Sequence, residues 1–158
     1  MMNWKLIYKV LGQLLFIEAS LMLLSLLVAV YYQQEDVFAF IVATLVTIGG
    51  GLILKWRGHG ADNSMSRRDA YFVVSVSWII FSLFGTLPFI VSGYINNFTD
   101  AYFETMSGFT TTGATILDDV ECFPHGLLFW RSLTQWIGGL GIVFFTIALL
   151  PSLVGGQT

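Results

Sequence analysis

Four long apolar stretches run through the chain, and they leave few folds open to it. In chain order they cover residues 11–32, 37–54, 71–92 and 127–149. Each is close to the roughly 20 apolar residues that a membrane-spanning helix needs. Only two charged residues lie within them, Glu18 and Arg131. The sequence therefore predicts an all-α polytopic membrane protein with four transmembrane helices.

Composition and motifs argue against the other classes of protein. Only 11% of the residues are charged and 56% are apolar, whereas soluble domains carry about 25% charged residues. The net charge of −3 disfavours nucleic acid as a partner, and the single cysteine, Cys122, cannot form an internal disulfide. Ser107-Gly108 lacks the preceding glycine of a GxSG nucleophile, and HExxH is absent. We expect neither an enzyme nor a cofactor.

Basic residues outside the apolar stretches predict how the chain is oriented. They are Lys5, Lys9, Lys55, Arg57, Arg67 and Arg68. The segments 33–36 and 93–126 contain no lysine or arginine. Because basic residues concentrate in short cytoplasmic loops, the N-terminus is expected in the cytoplasm and these two segments outside.

The outer segment 93–126 is not an ordinary polar loop. Its stretch 101–109 can form a helix too short to span a bilayer, with Asp100 as the expected N-cap and Thr99 as a weaker one. Residues 110–115 follow as a Thr/Gly-rich run with poor helix propensity. A short helix followed by irregular backbone, between two spans, is typical of a re-entrant pore helix and filter loop.

Thr110-Thr111-Thr112-Gly113-Ala114 has the residue types that a cation filter needs. Backbone carbonyls replace the water of a potassium ion when they point to one axis, and glycine reaches the required backbone conformation most cheaply. A threonine hydroxyl can add an oxygen ligand. The other interpretation is an extracellular Thr/Gly turn, which the preceding helix and the flanking spans disfavour.

The sequences FETMSGFTTTGATIL and FWRSLTQWIGGLGIVFF resemble the first pore-forming repeat of the Trk/Ktr/HKT potassium uptake transporters. The resemblance implies that Gly113 is the filter glycine. It also implies that the carbonyls of Thr110, Thr111, Thr112, Gly113 and Ala114 line the path of K⁺, the transported ion.

The resemblance also implies a division of the chain and a location. Residues 1–56 would be an N-terminal helix pair, 57–70 a cytoplasmic loop, 71–150 the first pore repeat and 151–158 a truncated connector. The location would be the bacterial inner membrane.

Proteins of this family carry four repeats around one pore, and this sequence contains one. The expected partners are therefore the remaining pore repeats of a longer protein, or further copies of the chain in a homo-oligomer. We favour the longer protein, because repeats within the family differ from one another. The resemblance also implies a cytoplasmic nucleotide-binding regulatory subunit. The alternative function is that of a non-conducting accessory or assembly protein.

Two intramembrane charges need an explanation, because an unpaired charge at this depth is costly. Arg131 lies about 7 Å below the outer end of its span, which matches the expected depth of Glu104. We predict an ion pair that fixes the pore helix, with Asp100, Asp118 and Asp119 as rival partners and snorkelling as the alternative. Glu18 is interpreted as a proton or ion site or, as we favour, a helix-packing hydrogen bond.

Glycine and proline positions give further expectations. Gly138, Gly139 and Gly141 in the last span would allow close helix contact or a bend, and Pro88 would kink the third span. Residues 49–51 are all glycine and suggest only a loosened turn.

Overall fold

The computed structural model describes residues 1–154, and these residues form six helices. In chain order they are α1 (Trp4–Tyr32), α2 (Val37–Arg57), α3 (Arg67–Gly85), α4 (Leu87–Ser92), α5 (Phe98–Phe109) and α6 (His125–Val154). The final four residues of the predicted connector, 155–158, lie outside the described residues.

Three stretches of the described chain are long and apolar enough to cross a membrane. They are Trp4–Tyr32, Val37–Arg57 and Arg67–Ser92, the last of which joins α3 and α4. The fourth predicted span, residues 127–149, lies within α6.

Local signals explain where several helices begin and break. The side chain of Asn3 accepts the N–H of Leu6 at 3.3 Å, so α1 begins seven residues before the predicted start. The predicted kink at Pro88 is confirmed, because the chain breaks at Thr86 between α3 and α4 and Pro88 lies in the first turn of α4. The predicted cap of α5 is wrong: Asn97, not Asp100, is the N-cap, and it accepts the N–H of Thr99 at 3.0 Å.

The first two helices form a hairpin that depends on close backbone contact. A Cβ added to Gly12 would lie 2.9 Å from the carbonyl oxygen of Gly51, so the two backbones approach without a side chain between them. Gly51 therefore has a packing role that the sequence did not reveal.

One buried core joins this hairpin to the rest of the molecule. It includes Met22, Phe40, Phe89, Phe109 and Trp130, which are almost fully buried and come from α1, α2, α4, α5 and α6 respectively. The indole N–H of Trp130 donates to the carbonyl of Gly85 at 3.0 Å, at the end of α3.

The α1–α2 loop holds the start of α6. The backbone N–H of His125 donates to Gln34 Oε1 at 2.7 Å, and that of Leu127 donates to Asp36 Oδ2 at 3.1 Å. The His125 ring stacks on Tyr32 with centroids 3.9 Å apart. Two of the orphan N–H groups of α6 are thus satisfied by residues about 90 positions earlier in the chain.

Replacing Asp36 with alanine is expected to lower stability by about 0.5–2 kcal/mol, the usual effect of losing a helix cap. Thermal unfolding of the detergent-solubilised protein measures the change. Glu35→Ala is the control, because Glu35 is an exposed carboxylate of the same loop. Equal melting temperatures for the two variants would contradict the capping role of Asp36.

Candidate functional site

The candidate site is built on α5, a 12-residue helix about 18 Å long. Its buried residues include Ala101, Thr105 and Phe109, and it packs against α3 and α6. The hydroxyl of Thr105 donates to the carbonyl of Ala101 at 2.8 Å, within the helix. The buried face of α5 is thus fixed against α3 and α6, and its C-terminal end leads into the Thr/Gly run.

The C-terminal end of α5 lies directly on the backbone of α6 at Gly138. A Cβ added to Gly138 would overlap the carbonyl oxygen of Phe109 and lie 2.7 Å from its carbonyl carbon. One turn earlier on α6, Thr134 lies against Gly108, whose added Cβ would be 3.2 Å from Cβ of Thr134. Glycines on both helices therefore allow this contact. It fixes the position of the Thr/Gly run along α6.

The chain reverses direction through two residues with positive φ. Thr111 has φ 56° and Gly113 has φ 76°. The positive φ expected for glycine at position 113 is therefore present. A β-branched residue in the left-handed region is rare, and such strain persists only where surrounding contacts enforce it. Here the backbone N–H groups of Thr111 and Thr112 donate to Gly108 and Ser107, both at 3.0 Å.

Side-chain hydroxyls tie the run to α5. The Thr110 hydroxyl donates to the Met106 carbonyl at 2.7 Å. The Thr110 proton is therefore in use, and the Thr112 hydroxyl, 2.9 Å away, donates to the Thr110 oxygen. The Ser107 hydroxyl donates to the carbonyl of Ala114 at 2.6 Å. One lone pair of this predicted filter carbonyl is therefore already used by the protein.

Glu104 organises the far end of the run. Its carboxylate accepts the hydroxyl of Thr115 at 2.9 Å and the backbone N–H of Ile116 at 3.2 Å. Arg131 Nε donates to Glu104 Oε1 at 2.5 Å. Glu104 is 1% exposed and Arg131 22% exposed. The predicted contact between these two residues is present, and Glu104 links it to Thr115 and Ile116, which directly follow residues 110–114.

The side of the run opposite α5 is not covered by other described parts of the chain. Residues 111–116 are all exposed, although α5 behind them is largely buried. A Cβ added to Gly113 would meet nothing within 4 Å. The described residues thus leave one side of this segment open.

The acidic residues after the run, Asp118, Asp119 and Glu121, are exposed, and in the described part of the chain the ion pair of Arg131 is with Glu104 instead. The thiol of Cys122 donates to Asp119 Oδ2 at 2.8 Å. This hydrogen bond lowers the pKa of Asp119 and, together with the carboxylate charge, raises the pKa of Cys122. In the α1–α2 loop, burial raises the pKa of Asp36, against the opposing effect of the N–H groups it caps.

Sequence reasoning missed several residues of the site. From the sequence, Ser107 is weighed only as a protease nucleophile, and nothing in the sequence indicates a role for His125. No sequence signal marks either one, because each acts through a partner that the fold brings close. Ser107 lies in α5 and Ala114 seven residues later in the Thr/Gly run, a spacing outside the usual short-range patterns of serine hydrogen bonds to backbone.

Comparisons with known proteins match nearly the whole chain. The family model described as cation transport protein TrkH matches residues 34–158. The Trk system potassium uptake protein TrkH of Salmonella typhimurium is 38% identical over 158 residues, which are 99% of this chain and 33% of that protein. TrkG of Escherichia coli is 36% identical over 149 residues, covering 92% of this chain and 30% of that protein.

A solved structure matches the fold. The crystal structure of the potassium transporter TrkH from Vibrio parahaemolyticus superimposes with a TM-score of 0.90 at 32% identity. The match covers 99% of this chain and 34% of that one. The chain thus spans about a third of the length of the relatives it matches.

Proposed function

Because the chain belongs to the TrkH family of cation transport proteins, as the N-terminal portion of a Trk transporter, we propose that residues 110–114 form one segment of its potassium selectivity filter. Membership of a potassium uptake family and a multi-pass membrane location follow from the matches and the apolar helices. Its relatives are named as transporters, in keeping with a chain that is not an enzyme.

The observation that carries the proposal is an exposed run of residues with a positive φ at Gly113. Hydrogen bonds attach one side of this run to α5. Donors from Ser107 and acceptors from Glu104 fix the run from behind. In the proposed filter, backbone carbonyls of this run replace the water of an ion. The C-terminal end of α5 adds negative potential there, which favours a cation.

The proposed topology places α5 in the membrane as a re-entrant helix. At about 18 Å it is too short to span, and residues 110–117 would return the chain to the outer side. The fourth span would be α6, with the N-terminus in the cytoplasm. The location would be the bacterial inner membrane.

The proposed pore needs partners, because a single segment surrounds an ion on one side only. The exposed side of residues 111–116 would face three further repeats, supplied by a longer chain or by copies of this one. On the inner face we propose a cytoplasmic nucleotide-binding regulatory subunit, for which Arg57, Arg67 and Arg68 are exposed.

A chimera tests the proposed function. Residues 1–158 replace the matching third of TrkH from Escherichia coli, with which they share 36% identity. Expressed in cells that lack their own potassium uptake, this chimera is expected to restore Rb⁺ uptake. A chimera that reaches the membrane at the level of the parent protein without restoring uptake would overturn the proposal and favour a non-conducting accessory role.

Gly113→Ser in the chimera is expected to weaken discrimination between Rb⁺ and Na⁺. The added Cβ has room, so the change acts through the positive φ, at a cost of about 1–2 kcal/mol that the run relieves by turning a carbonyl away. The effect is expected to be partial, because three repeats keep their own filter residues. Competitive uptake of the two ions, normalised to protein in the membrane, measures it.

Gly93→Ser is the matched control for this variant. Gly93 has φ 78° and an equally open Cβ position, but it caps α4 away from the run. It should lower protein level without changing the ion ratio. If both glycine variants leave the ratio unchanged, Gly113 lies in an ordinary turn and the filter role is lost.

A further inference from the structure

We propose that Glu18 is a proton-binding site at mid-membrane, and that its bound proton keeps α5 in the position that holds the filter run. The site itself stands on the geometry of α1, whereas its link to ion flux rests on the proposed function. The residue lies near the middle of the 29-residue helix α1 and is 1% exposed.

Glu18 lacks the partners that a buried carboxylate needs. Neither of its oxygens has a hydrogen-bond partner among the side chains that the structure describes. The packing hydrogen bond favoured from the sequence is therefore not found in this part of the chain. An ionised carboxylate without partners in an apolar interior is so unfavourable that the group takes up a proton instead.

The surroundings of Glu18 offer no compensating charge. The helices packed on α1 are α2, α3 and α6. No charged residue occurs at 37–54 in α2 or at 70–92 in α3 and α4. The charged groups at membrane depth on α5 and α6 are Glu104 and Arg131, and they bind each other. Glu18 is thus a neutral acid with its proton as the sole ligand.

Gly85 connects Glu18 to the filter run. A Cβ added to this glycine would lie 3.1 Å from Glu18 Oε1, 2.8 Å from Thr105 Cγ2 and 3.0 Å from Phe109 Cε2. Glu18 therefore meets α3 and α5 at one small surface. Nearby donors are already used: the Thr105 hydroxyl binds Ala101, and the Trp130 indole binds Gly85 itself.

Loss of the proton would disturb this contact. The resulting anion needs water or a donor, and neither can reach it while Thr105 and Phe109 close the surface at Gly85. Ionisation would therefore disturb the surface at Gly85, where Glu18, Thr105 and Phe109 come together, and Phe109 is the residue whose carbonyl lies against Gly138. A proton on Glu18 thus favours the arrangement of α5 described here.

Two measurements on the chimera test the proposal, with Glu18→Gln as the variant that stays neutral at every pH. Infrared spectra of the purified chimera in lipid should contain a protonated carboxylic acid band that shifts in D₂O and is missing from Glu18→Gln. Rb⁺ flux into vesicles buffered on both sides should fall at alkaline pH by up to about tenfold per pH unit for a single site, and this fall should be absent from Glu18→Gln.

Thr44→Val is the matched control, because Thr44 is another buried side chain without a hydrogen-bond partner in the described chain. It should keep both the band and the alkaline fall. The proposal is overturned if the chimera and Glu18→Gln share the same infrared spectrum, or if their pH profiles coincide. Absence of flux from the unsubstituted chimera would instead sink the proposed function, since the infrared measurement needs no transport.

Discussion

Replacing Arg131 with glutamine is expected to reduce folded chimera in the membrane severely, with uptake falling at least as much. The substitution leaves Glu104, which is 1% exposed, as a buried charge that has lost its only cation among the described residues. Removing one partner of a buried ion pair typically costs about 3–5 kcal/mol, which is a large part of the stability of a domain. Gel filtration of the detergent-solubilised protein and Rb⁺ uptake measure the two effects.

The double variant Glu104→Gln with Arg131→Gln separates pairing from size. It removes the uncompensated charge, while the amide that replaces the Glu104 carboxylate can still accept the N–H of Ile116, so it should fold better than Arg131→Gln alone. Asp118→Asn is the control for loss of an exposed outer charge and should leave both readouts unchanged. Equal yields from the single and the double variant would show that Arg131 does not stabilise the fold through its ion pair with Glu104.

Gly138→Ala is expected to abolish most uptake, because the added methyl group overlaps the last carbonyl of α5. That carbonyl is backbone and cannot rotate away, so α5 must shift and carry the filter run with it. Forcing extra atoms into a packed contact typically costs about 1–3 kcal/mol. Uptake per molecule in the membrane is the measurement, since a displaced filter lowers flux even in protein that folds.

Gly139→Ala and Gly141→Ala are matched controls on the same helix. The nearest atoms to their added Cβ atoms are Thr111 Cγ2 at 3.9 Å and Trp78 Cη2 at 3.6 Å, which are ordinary contacts. Both should keep uptake near the level of the unsubstituted chimera. Should all three alanine variants behave alike, the loss would reflect helix flexibility rather than the contact with Phe109.

Signals that are local in sequence predicted most of the helices. Hydrophobic length marked α1, α2 and the α3–α4 stretch, and Pro88 marked the break between α3 and α4. The depth argument for Glu104 and Arg131 also identified the right contact, because few charges lie at that level. The start of α5 was harder to place, since Asn97, Thr99 and Asp100 are all residue types that can cap a helix.

Contacts between distant residues escaped sequence reasoning. Asp36 and Gln34 read as part of a short polar loop, and their bonds to α6 appear only when the helices are packed. Gly51 looked like part of a flexible glycine run because its partner, Gly12, lies on another helix. The role of residues 110–114 as a filter stays a prediction, because the groups that would complete an ion site lie beyond this chain's single segment.

The hold of the α1–α2 loop on α6 also has a consequence for synthesis at the ribosome. Asp36 emerges 91 residues before Leu127, an interval of roughly 5–20 s at typical rates of chain elongation. The α1–α2 hairpin has its own glycine contact and can form during this interval. The last helix then arrives at a surface already shaped to receive its first turn, so the order of translation matches the order in which these contacts can be made.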